Sequence, residues 1–493
     1  MRPVVGFVSL GCPKNLVDTE RMISLLGNDG AIITGDQNKA DIVVINTCGF
    51  LEAAKRESMD TIGEFVSLKK KGNVKGVVVA GCMTERYLGL MNETYPEVDA
   101  FIQVREFSKI TEVVRKIAEG QKSELKLQLT GELAGLEGGS QELAPPVQQL
   151  QGHSELPDYM ERTPMKRPFA YIKIAEGCNR TCSFCIIPKL RGKLHSRSIE
   201  GIVDETKRLA ECGTKEIILI AQDLTSYGKD RSDGTTLLRL LEQLEEIEGI
   251  RWIKLMYNYP RFFTDELISF LASSEKFSRY LDIPFQHISN SVLKRMRRPE
   301  TSNEIRELIS KLRFVMPDIS LRTTLMVGFP GETSGDFAEL LDFIDWAKFD
   351  HLGAFTYFQE EDTPSHSLSD QLSEKVKQSR YQTLMEKQLR IQKQRLKSHL
   401  GSVMEVMIDG LAEKTKQGQI YRGRHKGQAP EIDGVTYVLE GDNRHDGSSS
   451  LLEIGEIYDV EVHKLVSDYD LLGMPVAVSR EESSLSPAEV AQR

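Results

Sequence analysis

Near residues 10, 47 and 81 the chain repeats one pattern: an almost uninterrupted apolar run ends in a cysteine turn, and a helical stretch follows. The runs are residues 4–10, 41–46 and 76–80. The turns are Gly11-Cys12-Pro13, Thr47-Cys48-Gly49 and Gly81-Cys82-Met83, and one helical stretch covers 51–71. Strands apolar on both faces and alternating with helices specify a parallel sheet, whose ligand sites lie beyond the carboxyl ends of its strands. All three cysteines are therefore expected on one edge. Their separations of 36 and 34 residues are each about one strand-helix unit, so they can converge although distant in sequence. Buried cysteines also occur at strand ends for packing alone. Three equivalent positions, each beside a glycine that lets backbones approach closely, favour shared ligation.

A second set of three is local. Cys178, Cys182 and Cys185, at spacings of four and three, directly follow an apolar run at 171–175. Structural zinc sites are usually closed by four ligands, so three thiolates describe a site with one position open. Ligand type alone leaves zinc and iron-sulfur clusters both available. The preceding run is the first of six strand candidates, 171–175, 216–221, 252–257, 280–284, 320–327 and 352–357. Amphipathic helical stretches lie between them, among them 199–212, 237–247 and 336–347. Six strand-helix units predict a partial parallel (β/α)6 barrel with its chemistry at the C-terminal strand ends, where the cysteine motif falls.

Between these two α/β segments, residues 119–163 are polar, contain Gly, Gln and Pro, and read as a linker. A long polar helix at 371–396 leads to short alternating strands at 403–408, 418–424, 435–439 and 457–465, the pattern of a small antiparallel β-barrel. The expected organisation is an N-terminal parallel α/β domain (1–118), the linker (119–163), the barrel core (164–395), the small barrel (396–479) and a disordered tail (480–493). The length suits about three domains of roughly 150 residues. No apolar run approaches the roughly 20 residues of a membrane span, and no signal peptide is visible. Seven cysteines, an odd number in a long chain, favour reduced thiols in a cytoplasm over a disulfide framework. A net charge of −10 is not that of a protein coated for nucleic acid. Residues 396–479 carry eight Lys/Arg against fourteen Asp/Glu, which suits a basic protein better than phosphates.

Together these segments resemble the radical S-adenosylmethionine methylthiotransferases over nearly the whole chain. The resemblance is carried by Cys178-x-x-x-Cys182-x-x-Cys185 with Phe184 before its third cysteine, and by the order of a three-cysteine domain, a radical core and a C-terminal TRAM barrel. Asp282-Ile283-Pro284-Phe285-Gln286-His287, residues 293–299 and Val327-Gly328-Phe329-Pro330-Gly331-Glu332-Thr333 match as well. Ala221-Gln222-Asp223, Gln286-His287 and residues 429–434 resemble the branch acting on an aspartate of small-subunit ribosomal protein S-twelve, rather than the branch acting on tRNA adenosine. Two departures stand out: Glu360-Glu361-Asp362-Thr363 where Glu-Glu-Gly-Thr is expected, and Gln428 where an acid is expected. The first is expected to reshape a loop after the sixth strand, the second to weaken a contact with a basic substrate.

The resemblance implies two 4Fe-4S clusters. Cys178, Cys182 and Cys185 would hold one, whose open iron is chelated by S-adenosylmethionine to generate a 5′-deoxyadenosyl radical that removes hydrogen from the aspartate β-carbon. Cys12, Cys48 and Cys82 would hold an auxiliary cluster that carries the sulfur, with a second S-adenosylmethionine supplying the methyl group. Implied partners are ribosomal protein S-twelve, an electron donor such as flavodoxin or ferredoxin, and a sulfur carrier if sulfur is not stored; neither membrane nor nucleic acid is expected. Gln222, Asp223 and Arg322, placed at strand ends, are candidates to contact S-adenosylmethionine or substrate, or equally to be polar partners at the barrel rim. Cys212 is expected to be a packed thiol, His195 and His287 hydrogen-bonding residues, and the run 294–298 a solvated helix face. Gly328 and Gly331 lack the Gly-Lys-Ser/Thr ending of a phosphate loop. Two other readings stay open, a tRNA adenosine methylthiotransferase and a non-catalytic zinc or iron-sulfur protein.

Overall fold

The computed structural model describes residues 2–50, 52–121, 162, 167–415, 418–440 and 452–476. The first body is a five-stranded parallel sheet of β1 (Val4–Ser9), β2 (Ile32–Thr34), β3 (Ile42–Thr47), β4 (Gly76–Gly81) and β5 (Ala100–Ile102), in the order β2-β1-β3-β4-β5. Every residue of β3 and β4 is buried, because helices cover both faces of the sheet. This explains why those runs read as continuously apolar. The short outer strands β2 and β5 carry too little sequence to announce themselves.

The second body contains β6 (Phe169–Lys173), β7 (Ala175–Glu176), β8 (His195–Ser196), β9 (Glu216–Ile220), β10 (Trp252–Leu255), β11 (Phe277–Asp282), β12 (Ser320–Val327) and β13 (His351–Thr356). Six of them form one parallel sheet, β13-β12-β11-β10-β9-β6, while β7 and β8 pair apart. The partial barrel predicted from the sequence is present. Its convex face meets the helices through a large cluster that includes Ile172, Leu219, Leu255, Leu281 and Leu325. Tyr171, Ile218, Met256 and Tyr280 face the concave side. The helix Glu374–Lys397 buries Leu384 and Ile391 and leads into the third body.

That body is a closed barrel of β14 (Val403–Thr415), β15 (Gly418–His425), β16 (Thr436–Leu439), β17 (Ile457–Leu465) and β18 (Leu471–Pro475). Four ladders are antiparallel as expected, and the closure between β16 and β18 is parallel. Its loop 427–433 reaches the concave face of the six-stranded sheet. Tyr171 Oη donates to the Pro430 carbonyl at 2.9 Å, Tyr280 Oη to Asp433 at 2.8 Å, and Ser320 Oγ to the Gly427 carbonyl at 3.1 Å. The six-stranded sheet stays open between β13 and β6, and this loop fills part of its concave side. Most of the expected linker, residues 122–161, and the expected tail lie outside the described residues. Arg162, at the end of that linker, is buried and pairs with Glu20 of the first body and with Glu205 of the second, the latter at 2.6 Å.

Candidate active site

The loop that carries Cys178 begins where β7 ends. Gly177, at φ +77°, turns the chain where a Cβ would overlap the Lys193 carbonyl, so a side chain is excluded there. The Cys178 amide donates to the Gly192 carbonyl at 3.1 Å, and the Cys178 sulfur accepts from the Arg180 amide at 3.4 Å. Ser183 fixes the middle of the loop, its amide donating to the Met296 carbonyl at 3.0 Å and its hydroxyl to the Arg295 carbonyl at 2.8 Å. Burial pushes the Cys178 thiol up to about 11 and the Cys185 thiol to about 12, opposed by backbone amides at each sulfur. Burial raises Cys182 as well, against the charge of Arg298. Thiols held neutral in this way must release protons when they bind a metal.

The second set converges as the strand-helix spacing predicted. Cys12 caps the helix Pro13–Asn28, Cys48 follows β3, and Cys82 opens the helix Cys82–Thr94. A Cβ on Gly11, at φ +89°, would stand 2.7 Å from Cys48 Cβ and 3.1 Å from its sulfur. Asn15 ties the turns together, its Nδ2 donating to the carbonyls of Leu10 at 3.1 Å and Thr47 at 2.8 Å. Burial raises the Cys82 thiol to about 12, Arg191 pulls it down, and the neighbouring Cys12 and Cys48 raise it further, so the three sulfurs feel one another.

One guanidinium reaches the second set from the segment that carries the first. Arg191 ends the helix Ile187–Arg191, immediately after the Cys185 turn, and donates to the Cys82 sulfur from Nε at 3.2 Å and from Nη2 at 2.9 Å. Nη2 also donates to Asn15 Oδ1 at 2.7 Å, and Nη1 to Asp18 at 2.9 Å and Glu176 at 3.2 Å. Lys173 completes the buried network with Asp18 and with Glu176 at 2.6 Å. In the same space Lys14 lies over the Tyr257 ring, 2.9 Å from its centroid. Burial lowers its ammonium to about 8, against the pull of Cys12, Asp282 and Glu176.

Among the described residues no group of three or more His, Cys, Asp or Glu stands close enough to hold a single metal ion. A four-iron cluster makes a different demand, because its thiolates bind separate irons at separate corners. Three soft donors per set, each set shielded by its own tight turns, fit that demand.

The remaining candidates are sorted by their partners. Gln222 donates to Glu176, and its Oε1 is buried without a partner among the described residues. Asp223 is fully engaged: it accepts from Arg180 Nε at 2.7 Å and from Ser226 Oγ at 2.6 Å, and its side chain caps the turn Leu224–Ser226. Arg322 stands two residues inside β12 rather than at its C-terminal end, paired with Asp282 at 2.8 Å and with Asp433 of the small barrel at 3.5 Å.

Several expectations need correction. Cys212 is exposed, because it caps the end of the helix Ile199–Glu211 instead of packing. Arg298 is buried, not solvated; it lies over Tyr259, 4.5 Å from the ring centroid, beside Cys182. Gln428 points inward, its Oε1 accepting from the His425 amide at 3.1 Å and Thr436 Oγ1 at 2.8 Å, and so cannot meet a substrate. His287 is the hydrogen-bonding residue expected, accepting from the Ser289 amide at 3.0 Å. Lys14, Asn15 and Arg191 escaped the sequence reading, although Pro13-Lys14-Asn15 follows the first cysteine directly. A cavity of about 680 Å³ lies at the opposite strand ends, lined by His351, His399 and His425, and none of the six candidate cysteines lines it.

Comparison with known proteins finds three families in the order of the three bodies. Residues 4–103 match the model of the uncharacterized protein family UPF0004, residues 172–344 the radical SAM superfamily and residues 400–476 the TRAM domain. The ribosomal protein uS12 methylthiotransferase RimO of Clostridioides difficile is 41% identical over 469 residues, covering 95% of this chain and 98% of that one. The chain belongs to the RimO family. The RimO of Geobacter sulfurreducens is 40% identical, again over 95% and 98% of the two chains. Among solved structures, the radical S-adenosylmethionine methyltransferase TsrM of Kitasatospora setae shares the fold, with a TM-score of 0.52 and 15% identity over 74% of this chain and 77% of that one. Membership of the radical SAM superfamily implies a 4Fe-4S cluster and S-adenosylmethionine as the working groups of this RimO-family chain. No described helix is long and apolar enough to cross a membrane.

Proposed function

We propose that this chain transfers a methylthio group to the β-carbon of an aspartate of ribosomal protein uS12, in the cytoplasm. Cys178, Cys182 and Cys185 hold one 4Fe-4S cluster in this reading, and Cys12, Cys48 and Cys82 a second. When bound, these groups supply the electron that cleaves S-adenosylmethionine reductively and the site that carries sulfur. A small electron-transfer protein such as flavodoxin or ferredoxin is the reductant, and a carrier delivers sulfur where none is stored.

The observation that carries the reading is Arg191, whose single side chain touches Cys82 while sitting six residues past Cys185. A substrate atom placed between the two sets therefore meets both without diffusing. Asp18, Lys173 and Glu176 fix the separation, and the helix Pro13–Asn28 and the loop 427–433 exclude water from either side. Of the three polar candidates, Gln222 keeps a free acceptor and is the one assigned to S-adenosylmethionine. Asp223 positions Arg180, and Arg322 positions Asp282. The acidic small barrel suits a basic ribosomal protein.

The test is anaerobic incubation of the reconstituted protein with S-adenosylmethionine, reductant and sulfide, offering uS12 and unmodified tRNA together, followed by mass spectrometry of both. A methylthio gain on a uS12 aspartate is the expected result. The same gain on tRNA alone overturns the substrate assignment.

A further inference from the structure

Lys14 is a buried cation without a counter-ion of its own. It sits in the first turn of the helix Pro13–Asn28 and is 8% exposed. Among the described residues no hydrogen bond or ion pair reaches its Nζ, and what lies beneath it is the face of Tyr257. The carboxylates around it are already engaged. Asp282 accepts from Arg322 through Oδ1 and from the Tyr257 amide through Oδ2. Asp18 and Glu176 are held by Lys173 and Arg191, and Glu176 by Gln222 as well. Those same acids neutralise Lys173 and Arg191, while Asp282 and Asp433 neutralise Arg322. Four acids stand against these four cations, and Lys14 is the one of the four whose ammonium makes no ion pair or hydrogen bond among the described residues.

The platform under that charge is itself unusual. Tyr257 has φ +64°, the left-handed region that bulky residues avoid, and Asp282 holds it there by accepting its amide at 2.9 Å. A desolvated ammonium above a strained aromatic residue costs free energy that the ring face offsets only in part, because no carboxylate among the described residues pairs with it directly. Such an arrangement is maintained where a ligand completes it.

We infer that Lys14 binds the side-chain carboxylate of the aspartate to be modified, with Tyr257 as the surface beneath it. The inference rests on the uS12 reading and deepens it. The carboxylate carbon is bonded to the β-carbon, so anchoring one places the other between the two cysteine sets. Lys14 also selects aspartate over asparagine, because a neutral amide leaves the buried ammonium without its charge partner.

The test uses uS12 peptides carrying Asp or Asn at the target position, and anaerobic binding to the cluster-loaded full chain as wild type, Lys14→Met and Lys14→Arg. Iron and sulfide content establishes loading, and comparing two peptides within each variant cancels any general loss of folded protein. The wild type is expected to prefer the Asp peptide by on the order of 30-fold, Lys14→Met to bind both alike, and Lys14→Arg to keep most of the preference. A wild type without preference, a loaded Lys14→Met that retains it, or an effect confined to S-adenosylmethionine binding overturns the inference. If the wild type binds neither peptide and modifies tRNA instead, the uS12 reading has failed and takes this inference with it.

Discussion

A guanidinium that donates to a cysteine sulfur draws electron density from it, so Arg191 bears on the potential of whatever Cys82 binds. Replacing it by Met removes two N–H···S contacts and a positive charge. The reduction potential of the proposed cluster at Cys82 should fall while that of the one proposed at Cys178 stays in place, which an EPR-monitored redox titration resolves. Equal movement of both signals would mean that Arg191 acts on the fold as a whole. His287 makes a different prediction. Burial lowers its pKa from 6.5 to about 3, so the folded protein keeps it neutral at pH 5 where the unfolded chain protonates it. The unfolded state then binds the extra proton, and stability falls as pH drops from 6.5 towards 3. The loss by pH 5 is about 2 kcal/mol. Denaturant midpoints of His287→Gln at pH 7 and pH 5 should lie closer together than those of the wild type; an unchanged gap would assign the acid sensitivity to other groups.

At the scale of elements, the loop after β13 answers the expectation raised by its missing glycine. Asp362 occupies that position at φ +62°, so the chain keeps the left-handed turn and an aspartate tolerates it. Glu360, two residues earlier, reaches Lys55 at 3.0 Å and also pairs with Arg86, both on the first body. Asp362→Gly should therefore stabilise the protein by up to about 1 kcal/mol, seen as a higher thermal midpoint, and a lower one would show that the Lys189 contact at 3.8 Å matters more. Strands such as β3, β4 and β9 were legible in the sequence because burial on both faces wrote apolar runs into it. The start of β11 at Phe277 was not, since Ser278 and Arg279 interrupt the run. The cysteine sets were legible by spacing. Lys14 and Arg191 were not, because pattern cannot reveal that a charge lacks a partner or finds a sulfur in another body.

Across the whole molecule, the three bodies are joined by buried charge. Arg424 of the small barrel donates to Glu216 of the core at 2.6 Å, and Glu216 also binds Lys254 across the sheet. Removing Arg424 leaves Glu216 with one cation instead of two and strands Asp409, its other partner at 2.6 Å, so Arg424→Met should cost about 3 kcal/mol. Protease cutting between Lys397 and Val403 should accelerate in the same variant. Intact resistance there would show that the loop 427–433 alone holds the barrel in place.

Arg162 makes the covalent path between the first two bodies mechanically redundant. Its side chain pins Glu20 to Glu205, so together with the Asp18 and Glu360 ion pairs a set of side-chain clasps, not the peptide leading up to Arg162, carries the relation of the two bodies. A chain built this way should survive being severed between residues 121 and 162: two co-expressed fragments would meet along a ready-made seam, at the entropic cost of associating two molecules where one folded before.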